Sequence, residues 1–188
     1  MTPLADSAAL PLDAEASPEP EPDGLCLSIS HEEGTWEAIA DLEPAIRRVG
    51  EALAHHPAGV PVRGREASVV LGSDSLLRRL NASYRGKDAP TNVLSFPFKP
   101  RAARADQEAD RYLGDVVLAA ETIAREAAER HIEPIQHVQH LVLHGLLHLI
   151  GYEHAADAEA LVMERLEAEI LSRLGLPDPY AADPPNQR

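Results

Sequence analysis

The sequence predicts an α+β domain: a four-stranded mixed sheet with about five surrounding helices. Three observations point there. Four short stretches are rich in β-forming residues, amphipathic runs of helical period lie between and after them, and no internal repeat is present. At 188 residues the chain suits a single domain with a sizeable core. That core is aliphatic, because 44 % of the residues are apolar and only 4 % aromatic.

The elements follow in order. Residues 1–24 are rich in proline, alanine and acid and lack periodicity, which predicts a disordered tail. Leu25 to Ser30 alternates Leu, Leu and Ile with Cys, Ser and Ser, the pattern of a half-buried strand. Cys26, the single cysteine, reads there as a small buried hydrophobe and excludes an internal disulfide. From Trp36 to His55 the residues Ile39, Leu42, Ile46, Val49 and Leu53 recur at helical spacing. Pro44 sets that helix's start near Leu42 or Glu43, and it stops before Pro57.

Glu66 to Gly72 reads as a second strand, after which Asp74 is placed to cap a short helix through Tyr84. Thr91 to Phe96 reads as a strand ended by Pro97, and the charged, unpatterned residues 99–110 as a mobile loop. Tyr112 to Leu118 is the fourth strand and Ala119 to Arg130 a helix. Pro134 suits the first turn of the next helix and Gly151 its end. A last amphipathic helix runs from about Ala156 to Leu174. The folded domain is therefore expected over residues 25–177, with a second disordered tail at 178–188.

Net charge is −14, which by itself argues against a nucleic-acid partner. Its distribution says otherwise. The N-terminal tail holds Asp6, Asp13, Glu15, Glu19, Glu21 and Asp23 and no base, whereas Arg78, Arg79, Arg85, Lys87, Lys99, Arg101 and Arg104 face only Asp88 across residues 78–104. A basic segment on an acidic body can hold phosphates while the remaining surface discourages indiscriminate binding. No secretory signal and no bilayer-spanning run is visible, so a soluble cytoplasmic protein is expected.

The chemistry concentrates in eleven residues, His144 to His154 (HGLLHLIGYEH). His144 and His148 share one helical face, Gly151 ends the helix, and His154 follows three residues later. Neutral imidazole is a leading ligand for zinc-like metals, and three protein ligands with an open position describe a catalytic site. The spacing matches the metal-binding frame of metzincin proteases, but Gly145 stands where their general-base glutamate would be. At 100° per residue, His137, His140, His144 and His148 fall in one stripe roughly 80° wide on an otherwise apolar helix. His140 is placed to contact substrate or orient a ligand, and His137 to sit at the rim. Glu153 and Asp115 are candidate acceptors for an imidazole N–H behind the metal, and either could act as base only if folding brings it close.

Together with this motif, Leu80 to Pro97 (LNASYRGKDAPTNVLSFP) and Leu113 to Val117 (LGDVV) resemble the YbeY-type endoribonucleases, bacterial metal-dependent factors of ribosomal RNA maturation. The resemblance runs from about Val69 to Glu164. It implies a zincin-like, metal-dependent fold and cleavage of single-stranded RNA, in 3′-end maturation of small-subunit (16S) rRNA and ribosome quality control. It further implies one Zn²⁺ at His144, His148 and His154, and a role for Arg85 in catalysis or RNA engagement. Lys87, Lys99, Arg101 and Arg104 become plausible backbone contacts, with ribosomal proteins and assembly factors as possible partners and no DNA or membrane. Many members have Asp where this chain has Glu153. Two other readings remain open at the level of sequence: a peptidase or small-molecule hydrolase on the same three-histidine frame, and a ribosome-assembly or RNA-binding factor whose metal mainly holds the fold.

Overall fold

The computed structural model describes residues 24–99 and 111–181. The predicted N-terminal tail and the 99–110 loop lie outside the described residues, apart from Gly24 and Lys99. Strands β1 (Leu25–His31), β2 (Arg65–Gly72), β3 (Val93–Pro97) and β4 (Tyr112–Ala119) form one sheet in the order β1-β2-β4-β3. β1 pairs β2 and β2 pairs β4 in parallel, while β3 pairs β4 antiparallel, so the sheet is mixed. The helices are α1 (Leu42–His55), α2 (Asp74–Arg85), α3 (Ala120–Arg130), α4 (Pro134–Leu149) and α5 (Asp157–Arg173).

Strand alternation divides the core in two. On one face Val69, Leu71, Val116 and Leu118 pack with Ile46 and Leu53 of α1, Leu143, Leu146 and Leu147 of α4, and Ile170 of α5. On the other face Val117 and Ala119 meet Leu94 and Leu77, which α2 supplies. Helix α4 is thus largely wrapped by protein, and its histidine stripe, with the neighbouring Gln136 and Leu141, borders cavities. The same alternation corrects one expectation. Leu25 and Leu27 point inward, so Cys26 between them is exposed rather than buried.

Two glycines shape α4. A Cβ on Gly145 would lie 2.5 Å from Cγ1 and 2.9 Å from Cγ2 of Val116, and 3.1 Å from Oγ of Ser95, so the helix rests directly on β3 and β4 at this residue. Gly151 has φ +94°, and the helix ends there in a Schellman motif: Tyr152 N donates to Leu147 O (3.0 Å) and Gly151 N to His148 O (3.1 Å). That reversal returns His154 toward the face it has just left.

The cap of α2 also differs from expectation. Ser73 is its N-cap, with Oγ accepting from Leu76 N at 3.2 Å, and Asp74 lies inside the helix. Ser73 has the extended backbone a cap needs, whereas Asp74 Oδ1 accepts from Thr122 N (3.0 Å) and ties α2 to the start of α3.

Candidate metal centre

His144 and His148 come from one face of α4 and His154 from beyond its terminal turn, and one ring nitrogen from each lies within 4.8 Å of the others. The hydrogen bonds set the tautomers. His148 Nδ1 lies 2.8 Å from Tyr152 O, which can only accept, so Nδ1 carries the proton. His144 Nδ1 lies 2.8 Å from Glu167 Oε1 and likewise donates. Both Nε2 atoms are therefore bare in the neutral rings, yet they face each other at 3.1 Å. Two lone pairs at that distance repel unless a cation lies between them. Nitrogens sharing a tetrahedral zinc at about 2.0–2.1 Å stand roughly 3.3 Å apart, so the His144–His148 pair fits such an ion to within a few tenths of an ångström, and a nitrogen of His154 lies within 4.8 Å of both. Burial, and then the neighbouring His144, push the pKa of His148 below the ordinary value, which favours the neutral ring that a metal would need.

Glu167 is the functional residue that sequence reasoning missed. It is 0 % exposed on α5, accepts from His144 Nδ1 and His140 Nε2 (3.0 Å), and receives the Tyr180 hydroxyl. Burial alone would raise its pKa, but the bonds from His140 and His144 outweigh that and hold it at about 2. A permanent carboxylate thus fixes the tautomer and orientation of His144, as such partners do in metal sites. A signal was present: Ala160, Met163, Glu167 and Ile170 share one buried helical stripe, so Glu167 is an acid on an apolar face. In Glu167→Gln one carbonyl oxygen replaces two, so whichever way the amide is turned its NH₂ faces an imidazole N–H. Metal affinity is expected to fall between about 10- and 100-fold, read by competition against a chromophoric chelator.

The other candidates separate clearly. His140 shares Glu167 and contacts Tyr180, 5.6 Å between ring centroids, and so touches the ligand system through the carboxylate. His137 is not at the rim: it is 3 % exposed, with Nε2 2.7 Å from Glu126. Glu153 lies 3.7 Å from His148 Nδ1, but the nearer Tyr152 carbonyl is the acceptor, because the tight turn aims it at the ring. The structure does not bring Asp115 to the imidazoles: it shares the α2 face of β4 with Val117 and accepts from the Tyr112 hydroxyl at 2.6 Å. Tyr180, within the expected C-terminal tail, packs against the site instead.

Arg85 ends α2 and is exposed, as are Lys87 and Lys99, and none of the three side chains has an ion pair or hydrogen bond among the described residues. Arg78 and Arg79 are engaged by Asp88 (2.6 Å) and Glu33 (3.2 Å). Residues 86–92 lead from Arg85 to Asn92, which borders the cavity of about 240 Å³ that holds His144 and His154. Arg101 and Arg104 lie outside the described residues.

Acid should unfold the metal-free protein in stages. His137 and His148 have folded pKa values below 6.5, chiefly from burial, so the unfolded chain binds their protons first and stability falls as pH drops below about 6.5. The stability from Glu167 is complete above 4.5 and is lost as pH falls from there toward about 2. Urea midpoints measured between pH 8 and pH 3 should therefore decline in two steps; a midpoint that rises on acidification to pH 5 would contradict this assignment.

Comparison with known proteins agrees with the motif evidence. The model of the family Endoribonuclease YbeY matches residues 30–175. A protein from Bradyrhizobium sp. named Endoribonuclease YbeY is 48 % identical over 147 residues, 78 % of this chain and 86 % of that one. Another of that name, from Parvibaculum lavamentivorans, is 45 % identical over 172 residues, covering 87 % and 89 %. The solution structure of TM1509 from Thermotoga maritima aligns with a TM-score of 0.49 and 21 % identity over 87 % of this chain and 99 % of that one. With the family model spanning β2 to β4, the histidine helix and α5, this chain belongs to the YbeY endoribonuclease family.

Proposed function

We propose that this chain is a zinc-dependent endoribonuclease specific for single-stranded RNA, acting in 3′-end maturation of 16S rRNA and in ribosome quality control. Family membership supports the reaction class. The observation that carries the metal is the pair of bare Nε2 atoms on His144 and His148, facing at 3.1 Å with both Nδ1 protons committed elsewhere. A zinc ion held by these rings and His154 supplies Lewis-acid polarisation of a phosphoryl oxygen.

The chain's own residues do the rest. Glu167 and the Tyr152 carbonyl keep two ligands aimed, and partial burial keeps His148 uncharged. Arg85 engages the non-bridging oxygens on which charge builds during phosphodiester cleavage, where a guanidinium can grip two at once. Lys87, Lys99, Arg101 and Arg104 contact the flanking backbone; the absence of partners for Arg85, Lys87 and Lys99 among the described residues supports that role. Small-subunit rRNA and ribosomal proteins are the proposed partners and the cytoplasm the proposed compartment. A lone cysteine suits that compartment, and no helix among the described residues is long and apolar enough to cross a membrane.

The rival readings fare less well. A peptidase on this frame would need a base at residue 145, where no side chain fits. A metal that only holds the fold would be expected to have a fourth protein ligand, and among the described residues the cluster offers three. The test is to offer the zinc-loaded protein single-stranded RNA, duplex RNA and a casein-derived peptide pool. Cleavage of the single strand alone, lost on chelation and reduced roughly 100-fold or more in folded Arg85→Ala, is expected. Peptide hydrolysis, or RNA cleavage indifferent to both treatments, would overturn the proposal.

A further inference from the structure

We propose that a second chamber beside the metal centre seats one unpaired nucleobase of the RNA strand, next to the phosphate at the imidazoles. This rests on the nuclease reading and adds a substrate subsite to it. The chamber has a volume of about 590 Å³, within the range of ligand sites. It adjoins the metal cavity, since Asn92, His140, Leu141 and Tyr180 border both. A strand whose phosphate lies at the histidines therefore has a neighbouring nucleoside at the chamber mouth.

Charge decides which part of a nucleotide enters. The walls carry Glu126 and Asp178 against Arg130 alone, and Arg130 Nη2 already donates to Pro179 O at 2.8 Å. Such walls disfavour a phosphate and accept an uncharged ring. Shape agrees. Leu141 and Leu176 offer apolar faces, and Tyr180 offers an aromatic ring held in place by its bond to Glu167 and its edge contact with His140.

Polar edges are available as well. Glu126 Oε2 is taken by Asn92 (2.9 Å) and His137 (2.7 Å), but Oε1 accepts no hydrogen bond among the described residues, and neither does the Gln136 side-chain amide make one. A base edge, with its N–H donors and carbonyl or ring-nitrogen acceptors, complements that pair. A base in a duplex could not reach these walls without unpairing, so the chamber gives single-strand preference a structural cause.

The test uses the full chain. Uridine and adenosine 5′-monophosphate are titrated into metal-free protein and followed by methyl and amide NMR, with ribose 5-phosphate as the baseless control. The nucleotides are expected to shift Leu141 and Leu176 and the control to leave them unmoved. Gln136→Trp, which fills the chamber, should weaken nucleotide binding about tenfold or more and raise KM for single-stranded RNA similarly, while zinc affinity stays that of the parent. Should that variant fail to fold, Gln136→Leu removes the amide alone and should weaken binding in the same direction. Equal shifts from the control, or unchanged nucleotide binding in folded Gln136→Trp, would overturn the chamber, even if RNA is cut. RNA left uncut while nucleotides still occupy the chamber would sink the nuclease reading but support a base site.

Discussion

RNA cleavage by the zinc-loaded protein is expected to fall at least about 10³-fold when His148 is replaced by alanine, with little loss of metal-free stability. His148 contributes one of the two opposed Nε2 atoms, so its removal leaves two imidazoles for the metal and abolishes the 3.1 Å lone-pair contact. The Tyr152 carbonyl loses a donor, but the site is open enough for water to replace it. The thermal midpoint of metal-free His148→Ala should therefore stay within a few degrees of the parent, while the rise seen on adding zinc should vanish. A folded variant that still cleaves RNA above the level of a mock purification would show that the histidines do not carry the reaction. Loss of folding together with activity would instead point to a structural role for this ring.

Gly145→Glu, which restores the proteases' acid to the frame, is expected to unfold the domain rather than create a peptidase. The new Cβ would meet both methyls of Val116, which is 0 % exposed and cannot retreat from a sheet packed on both faces. Overpacking alone costs about 1–3 kcal/mol, and an unpaired carboxylate forced between helix and sheet adds several more. Domain stability is commonly about 5–15 kcal/mol, so the sum is comparable with the whole. Gly145→Ala separates the terms. Helix propensity favours alanine by about 1 kcal/mol, yet the contact at 2.5 Å should outweigh it and lower the urea midpoint. A soluble, cooperatively folding Gly145→Glu would overturn this account of why the base is missing.

The elements were legible because their punctuation is local. Pro44 and Pro134 sit in first turns, Gly151 ends α4 with a positive φ, and alternation in β1 and β2 marks their buried residues. Where several short signals overlapped, sequence reasoning slipped by a residue. Ser73 and Asp74 can each cap a helix, and only the position of Thr122 shows why the aspartate is used across elements. The cysteine was misread for a related reason: a strand pattern tells which residues alternate, and Cys26 is small enough to fit either face.

By itself the sequence determined the three-histidine cluster, because i, i+4 spacing on a helix and a glycine reversal bring those rings together whatever else the chain does. It also determined the family, through motifs that are contiguous in the chain. Only the tertiary structure decided which groups serve those rings. Glu167 lies 23 residues from His144 and Tyr180 a further 13 along, and Asp115, close to the motif in outline, went to the far face of the sheet. Helix packing sets such partnerships through distances between elements, and no local periodicity encodes them.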